Sequence, residues 1–343
     1  MMARIGGVSG LAAFLAACGG EAAPAAAPTA AAKAEPTKAP AAAAPTMAPA
    51  AQPTVAPTVA GTTVNFDKPT EITFWHTQTG ANLAALDAIV AEFNKSNGKK
   101  ITVKAETIPG SYTGVYQKAM AAIQAGQTPD VAVGYESMAV EYMKAKAIVA
   151  LDDYALKGGQ ALSADDLKDI FPIYIESNKY PMFQNKMLTF PFTKSLAVQY
   201  WNEDFLKAAG VAKNGQKGQI MSGNVVVFDN KDKVRPAAGW EWIKFFTNKE
   251  NSAVFPIKTG YMPLRKSAAE NPEVKANWEK DPQGKQAFDL SDLVRAEPQI
   301  PAWQDIRGIL QDALTATITG KMTAKAALDD AASKANKLIE EKK

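Results

Sequence analysis

The chain of 343 residues has one cysteine, Cys18, and one histidine, His76, and these two scarcities exclude whole classes of structure and chemistry. A single cysteine cannot form a disulfide within the chain. A single histidine leaves histidine-centred or triad catalysis with one candidate and no cysteine nucleophile beside it. No metal-ligand cluster stands out, and the glycines at 210 and 215 precede Gln-Lys rather than the Lys-Ser/Thr of a phosphate loop. We therefore expect a protein that is not an enzyme and has no metal or cofactor.

The sequence also lacks a basic block and a long apolar run. Lys and Arg number 38 against 35 Asp and Glu, so the formal net charge is only +3. A nucleic-acid-binding surface needs basic residues concentrated in patches, and none is visible. The apolar stretch at residues 5–17 is shorter than the roughly 20 residues that a transmembrane helix needs, and no later segment qualifies. We expect neither a nucleic-acid partner nor a membrane-spanning helix.

What the N-terminus does contain is an export signal. Arg4 supplies a positive charge, residues 5–17 are apolar, and small residues precede Cys18. The ending Leu-Ala-Ala-Cys resembles a bacterial lipobox, which implies cleavage before Cys18 and a lipid on its thiol. Residues 1–17 are then a signal peptide, and the mature chain is lipid-anchored on the outer face of the cytoplasmic membrane or in the periplasm. The alternative is a buried Cys18 in an ordinary signal or helix.

Residues 18–62 consist almost entirely of Ala, Pro and Thr and cannot build a core. Such a segment is either a semi-stiff polyproline spacer or a disordered low-complexity tether. Either form would hold the remaining residues away from the membrane. Those remaining residues number roughly 280, enough for one large or two modest domains.

Hydrophobic periodicity predicts an α/β order in the next part of the chain. Residues 71–76, 101–106 and 130–135 alternate or run apolar like strands. Apolar residues recur at helical spacing in 83–93 and 115–123, with glycine-containing stops after each. Strand, helix, strand, helix, strand indicates a parallel sheet flanked by helices. Ligands of such sheets bind beyond the carboxyl ends of the strands, which selects the loops and helix starts at His76, Tyr112 and Glu136.

Aromatic residues divide into core and loop candidates. Trp240 and Trp242 lie in a helical run, and we expect both to be buried in the core. Tyr261 lies in a Gly-Tyr-Met-Pro loop, where an aromatic side chain is more often exposed to a ligand or a hinge.

These segments together resemble the extracellular solute-binding proteins of ABC importers, in particular the branch that binds sn-glycerol-3-phosphate and its diesters. The resemblance covers nearly all of residues 70–340. It rests on the order of individually weak segments: ITFWH (72–76), GSY (110–112), TPD (128–130), PFTKS (191–195), YWN (200–202), SGN (222–224), KTGYMPL (258–264) and GKMT (320–323).

The resemblance implies a ligand set at Tyr112, Glu136, Ser195, Gly223, Tyr261 and Arg307. Tyr112 and Glu136 would hold the glycerol moiety, and Ser195 would add a hydrogen bond. Gly223 would offer backbone polarity where a side chain would clash. Tyr261 and Arg307 would face the phosphate, for which a guanidinium fork is well suited. Without the resemblance, an ion pair on a helix surface explains Arg307 equally well.

The sequence departs from the family between Gly210 and Gly218, where the long second-lobe segment is replaced by a few residues. The expected fold is therefore α/β and periplasmic-binding-protein-like, an open parallel-rich sheet flanked by helices, with an incomplete second lobe. We expect a first lobe from residues 63–196 and 219–262 and a helical second-lobe remnant from 197–218 and 263–343. The tail helix around Leu310, Leu314 and Ile318 would then expose an apolar stripe.

The function implied by the resemblance is solute capture for an ABC importer. The expected solute is a glycerol phosphate or similar polyol phosphate, bound by a monomer that docks on a membrane permease and performs no catalysis. Three alternatives stay open: an oligosaccharide-binding protein of the same importer class, a truncated surface scaffold that transports nothing, and a secreted hydrolase.

Overall fold

The computed structural model describes residues 63–197, 203–208, 219–221 and 223–342. Cys18, the signal peptide, the tether and most of the shortened segment after Gly210 lie outside these residues. The strands are β1 (Thr70–His76), β2 (Ile101–Thr107), β3 (Val131–Gly134), β4 (Lys179–Tyr180), β5 (Lys186–Met187), β6 (Phe190–Pro191), β7 (Ser195–Ala197), β8 (Gln219–Met221) and β9 (Asn224–Val227). The helices are α1 (Gly80–Ser96), α2 (Ser111–Ala125), α3 (Glu136–Lys144), α4 (Asp152–Ala155), α5 (Ala164–Asp169), α6 (Pro172–Glu176), α7 (Glu203–Ala208), α8 (Val234–Phe246), α9 (Lys249–Thr259), α10 (Pro272–Lys280), α11 (Pro282–Asp289), α12 (Trp303–Ile318) and α13 (Ala324–Glu341).

The main sheet has five strands in the order β2-β1-β3-β9-β6. β1 runs parallel to β2, from the pair Thr70 and Ile101 to the pair His76 and Thr107, and it also runs parallel to β3. The first three strands and the two helices between them thus have the predicted order and direction. β9 enters between β3 and β6 and is antiparallel to both, so the sheet is mixed.

Burial explains why these segments form the centre of the sheet. Every residue of β3 and β9 is buried, as expected for strands covered on both faces. In β1 the residues Ile72 and Phe74 are fully buried. Helix α8 covers one face of the sheet and places Trp240 and Trp242 in the core, which confirms that prediction. The indole nitrogen of Trp240 donates to the carbonyl oxygen of Gln160 at 2.9 Å, so the buried indole keeps a partner.

A charged anchor fixes the start of β3. The carboxylate of Asp130 is fully buried and accepts two hydrogen bonds of 2.6 Å from Arg235, at the start of α8. It also accepts from the backbone nitrogen of Thr73 in β1 at 2.8 Å. This one side chain therefore joins two strands and a helix.

The remaining sheets in the described part of the chain have two strands each, β4-β5 and β7-β8. The expected division into a first lobe and a second-lobe remnant stays a prediction, because most of residues 197–218 lie outside the described residues. Near the C-terminus α12 and α13 pack against each other, and α12 leaves Leu310 43%, Leu314 60% and Ile318 75% exposed. The predicted apolar stripe is therefore present. Among the described residues, no helix combines the length and apolar character that crossing a bilayer requires.

Candidate functional site

A cavity of about 580 Å³ opens where the start of α2, the end of β3 and the first turns of α12 meet. This is the edge of the sheet at which ligands of open α/β folds bind. Eleven residues line it: Ser111, Tyr112, Thr113, Tyr135, Gln304, Asp305, Arg307, Gly308, Ile309, Gln311 and Asp312. Two of the six residues implied by the family resemblance, Tyr112 and Arg307, are among them.

Two tyrosines and the arginine form a stack in the wall of this cavity. The rings of Tyr112 and Tyr135 lie 4.3 Å apart and 12° from parallel. The Cζ atom of Arg307 lies 4.4 Å from the centre of the Tyr135 ring, a cation–π distance. Burial raises the pKa of both tyrosine hydroxyls, so each stays protonated at neutral pH. Because Tyr135 is covered by the Tyr112 ring and by the Arg307 guanidinium, and Tyr112 is buried, the stack offers the cavity ring edges, hydroxyl groups and a guanidinium.

Local backbone geometry brings the start of α2 to the cavity. Gly110 and Ser111 both have positive φ, 85° and 61°. Gly114 is required in the first turn, because a Cβ there would overlap the carbonyl oxygen of Pro109. This tight entry places Tyr112 in the first turn of α2, and its hydroxyl lies 3.5 Å from the Thr193 hydroxyl.

A second group of side chains lies deeper and consists of buried charges. Glu136, the first residue of α3, is 1% exposed, and its Oε1 atom lies 3.6 Å from the Nζ atom of Lys194. That nitrogen also donates to Oδ1 of Asn224 at 2.5 Å. Burial lowers the pKa of Lys194, and the neighbouring Glu136 charge opposes this. The other oxygen of Glu136 has no hydrogen-bond partner within the described chain, so it is an acceptor that a ligand hydroxyl could satisfy.

Arg307 forms an ion pair as well as lining the cavity. Its Nη1 atom donates to both carboxylate oxygens of Glu297, at 2.9 and 3.0 Å. Glu297 is buried, and burial raises its pKa against the opposing effect of the Arg307 charge. The ion-pair alternative for Arg307 thus describes a real contact, and its partner is a residue that sequence reasoning did not identify.

The other three implied residues lie outside the lining of the large cavity. Ser195 is half-buried in β7 opposite Met221. The carbonyl oxygen of Gly223 accepts from the backbone nitrogens of Phe192 and Thr193 at 2.9 Å each. A Cβ at Gly223 would overlap the Thr193 carbonyl, so the packing of the chain itself requires glycine at this position.

Tyr261 is half-buried and packs nearly parallel to Phe255, with ring centres 5.9 Å apart. Its hydroxyl accepts from the side-chain amide of Gln78 at 3.3 Å. It lines a separate space of about 10 Å³, room for a single water. Thr193 connects these groups, since it contacts Tyr112 through its hydroxyl and Gly223 through its backbone. The ligand-binding roles of all six residues stay predictions.

His76, at the end of β1, lies in the interior near these residues. The ring is 1% exposed, and its Nδ1 atom accepts from the backbone nitrogen of Gln78 at 3.2 Å. Burial lowers its pKa to about 4, although the charge of Asp87 acts in the opposite direction. The imidazole is therefore neutral at pH 7 and supports the Gln78 loop. In the described residues no group of three or more His, Cys, Asp or Glu side chains is arranged to hold a metal ion.

The sequence profile of a family described as bacterial extracellular solute-binding protein matches residues 88–217 and 211–282. The chain belongs to this family. Among curated relatives, the sn-glycerol-3-phosphate-binding periplasmic protein UgpB of Agrobacterium fabrum is 31% identical over 152 residues. That alignment spans 43% of this chain and 33% of the relative, so the chain matches about a third of the length of that protein.

Solved structures of binding proteins show the same fold at low identity. UgpB from Mycobacterium tuberculosis, in complex with glycerophosphocholine, superposes with a TM-score of 0.62 at 14% identity, over 79% of this chain and 99% of that one. The cyclic alpha-maltosyl-1,6-maltose binding protein of Arthrobacter globiformis gives the same TM-score and identity, over 80% and 100%. The periplasmic-binding-protein-like α/β fold expected from the sequence is therefore confirmed.

Proposed function

We propose that this chain is the solute-binding component of an ABC importer and that it binds a glycerol phosphate or a similar polyol phosphate without catalysis. The observation that carries the proposal is the meeting of Tyr112, Tyr135 and Arg307 around one cavity at the ligand-binding edge of the sheet. The ring edges and hydroxyl groups of the tyrosines suit the carbon atoms and hydroxyls of a polyol, and the guanidinium suits phosphate oxygens. Relatives named for sn-glycerol-3-phosphate binding support the same class of solute.

The surroundings of Glu136 and Arg307 support their proposed roles. Glu136 has one buried oxygen without a partner, which favours its acceptance of a ligand hydroxyl. Glu297 engages only Nη1 of Arg307, the Tyr135 hydroxyl lies beside the guanidinium, and the remaining N–H donors would face a phosphate group. Ser195, Gly223 and Tyr261 would complete the site after a rearrangement of the segments that carry them, because solute-binding proteins close on their ligands by hinge motion.

The proposal places the protein outside the cytoplasm. Cleavage before Cys18 and lipidation of its thiol would tether the mature chain through residues 18–62, and an ABC permease in the membrane would be its protein partner. The proposed division into a first lobe (63–196 and 219–262) and a helical remnant (197–218 and 263–343) puts the cavity between the two, because Tyr112 belongs to the former and Arg307 to the latter.

Calorimetric titration of the full chain with glycerol-3-phosphate at pH 7.5 tests the solute. We expect saturable binding, and we expect Arg307→Ala to weaken it at least tenfold, since a charge-assisted bond contributes about 1.5–3 kcal/mol. Lys325→Ala removes the same charge from an exposed position on α13 and should change nothing. Because Arg307→Ala strands the Glu297 carboxylate, the double variant with Glu297→Gln controls for misfolding. No binding by wild-type protein that unfolds cooperatively would refute the solute class.

An oligosaccharide is the second candidate, because structural neighbours of the same TM-score include a protein named for binding a maltose-containing sugar. Neutral sugars would contact the ring edges and hydroxyl groups of Tyr112 and Tyr135 without using the Arg307 charge. Arg307→Ala should then leave maltotriose binding largely intact. Small-angle scattering separates both from a scaffold that transports nothing, because a solute receptor becomes more compact with ligand and a scaffold does not.

A further inference from the structure

The side chains that line the cavity carry no excess positive charge, and this has a consequence for the charge of the ligand. Arg307 is the only basic residue among those described that line the cavity, and Glu297 already neutralises it at 2.9 Å. The other charged lining residues, Asp305 and Asp312, are acidic. Asp305 is in turn paired with Lys342 at 2.6 Å. The cavity wall therefore offers donors for a phosphate but no surplus positive charge.

The charged side chains that lie deeper than the cavity wall do not add a net positive charge. Lys194 is fully buried, and its charge is shared between Glu136 at 3.6 Å and the side chain of Asn224. Glu297 is itself close enough to Lys194 and Glu136 for their charges to affect its proton affinity. Four buried or half-buried groups, two of each sign, thus form a neutral set: Glu136, Lys194, Glu297 and Arg307.

We propose that Glu297 is a positioning residue that holds Arg307 by one nitrogen and makes the site favour a singly charged phosphodiester over a doubly charged phosphomonoester. The inference rests on the proposed function of the site. With Nη1 held by Glu297 and the Tyr135 hydroxyl beside the guanidinium, Arg307 keeps N–H donors for one charge-assisted contact with a ligand. Arg307 attracts the first negative charge on the ligand. A second negative charge has no further cation to pair with and is repelled by the carboxylate of Glu297 and the acidic side chains of the cavity wall.

The size of the preference follows from a charge interaction across a partly solvated site. A phosphomonoester carries a charge of about −1.5 to −2 near pH 7, against −1 for a diester. One additional charge about 6 Å from a carboxylate, in a medium between the interior and bulk water, changes affinity roughly tenfold. Replacing Glu297 by a neutral side chain should raise the affinity for the monoester relative to that for the diester.

The test is calorimetric titration of the full chain at pH 7.5 with glycerol-3-phosphate and with glycerophosphoglycerol, a diester with one negative charge. Wild type should bind the diester roughly tenfold more tightly than the monoester. In Glu297→Gln this ratio should fall about tenfold towards equality, and in Glu297→Asp, which restores the carboxylate, the preference should return. Asp165→Asn makes the same change in net charge at an exposed position outside the cavity and should leave the ratio unchanged.

The ratio separates this role from a purely structural one, because a disturbed fold weakens both ligands alike. If wild type binds both ligands and Glu297→Gln keeps the wild-type ratio within twofold, the inference is overturned and the proposed function stands. A wild-type preference for the monoester overturns the inference as well. If wild type binds neither phosphate ligand, both the proposed function and the inference fall.

Discussion

Lowering the pH from 7 to 5 is expected to destabilise the folded protein through His76. The ring is buried at the end of β1 and its pKa is lowered to about 4, from an ordinary value of 6.5. Between these two values the unfolded chain binds a proton that the folded chain does not. Because the pKa of His76 is lower in the folded state, the folded protein loses stability as the pH falls through 6.5. The loss is complete below about pH 4.

The magnitude follows from the two pKa values. With 6.5 unfolded and about 4 folded, linkage gives a loss of about 2 kcal/mol between pH 7 and pH 5, and about 3 kcal/mol when the titration is complete. Glu297 acts in the opposite direction, because its raised pKa favours the folded state as the pH falls. Comparison with a His76→Gln variant cancels this and every other carboxylate contribution.

Urea unfolding at several pH values measures the effect. The difference in unfolding free energy between wild type and His76→Gln should change by about 2 kcal/mol from pH 7 to pH 5. Because the chain has a single histidine, the imidazole proton resonance reports its folded pKa without assignment. A resonance that titrates near 6.5, or a free-energy difference that does not vary with pH, would refute the account of a neutral buried ring.

Two further predictions concern stability. Gly223→Ala should destabilise the fold by about 3 kcal/mol because its Cβ meets the Thr193 backbone, whereas Gly308→Ala, with open space around it in α12, should be neutral or stabilising by up to about 1 kcal/mol. Thermal unfolding of the pair checks this, and equal midpoints would contradict it. Arg235→Met should cost about 3 kcal/mol, as measured by urea unfolding, because it removes the positive charge that compensates the buried Asp130 carboxylate and leaves only neutral donors such as the Thr73 backbone nitrogen. A wild-type midpoint in that variant would show that solvent reaches Asp130.

The first half of the sheet is predictable from sequence because its signals are local. Residues 71–76 and 101–106 alternate, and the helix after each strand ends at an Asn or Gly cap, as the structure shows at Asn97 and Gly126. β9 carries no such signal of its place, because its four buried residues pair with strands some 30 and 90 positions earlier. Its position between β3 and β6 depends on contacts between residues far apart in the sequence, and hydrophobic periodicity does not predict such contacts.

The site divides in the same way. Tyr112 and Glu136 follow from the rule that ligands meet strand ends, which requires only the order of elements. Glu297 precedes a proline in a loop and accepts a hydrogen bond from Arg307, ten residues later. This spacing matches neither helix nor strand periodicity, so the sequence does not predict the contact. Lys194 lies in a segment that the resemblance includes. Lysine is rarely fully buried, so the residue type by itself predicts an exposed side chain at this position. Both are identified only when three-dimensional charge pairing is visible.

The position of β9 also bears on how the chain acquires its structure during synthesis. Until residue 227 has left the ribosome, β9 is not available to pair with β3 and β6. The strand edges that β9 later covers therefore have unpaired backbone groups, which can pair with other chains. Nascent chains shorter than this should bind chaperones or aggregate, because unpaired strand edges associate with one another. A late central strand of this kind delays completion of the sheet until nearly two thirds of the polypeptide exists.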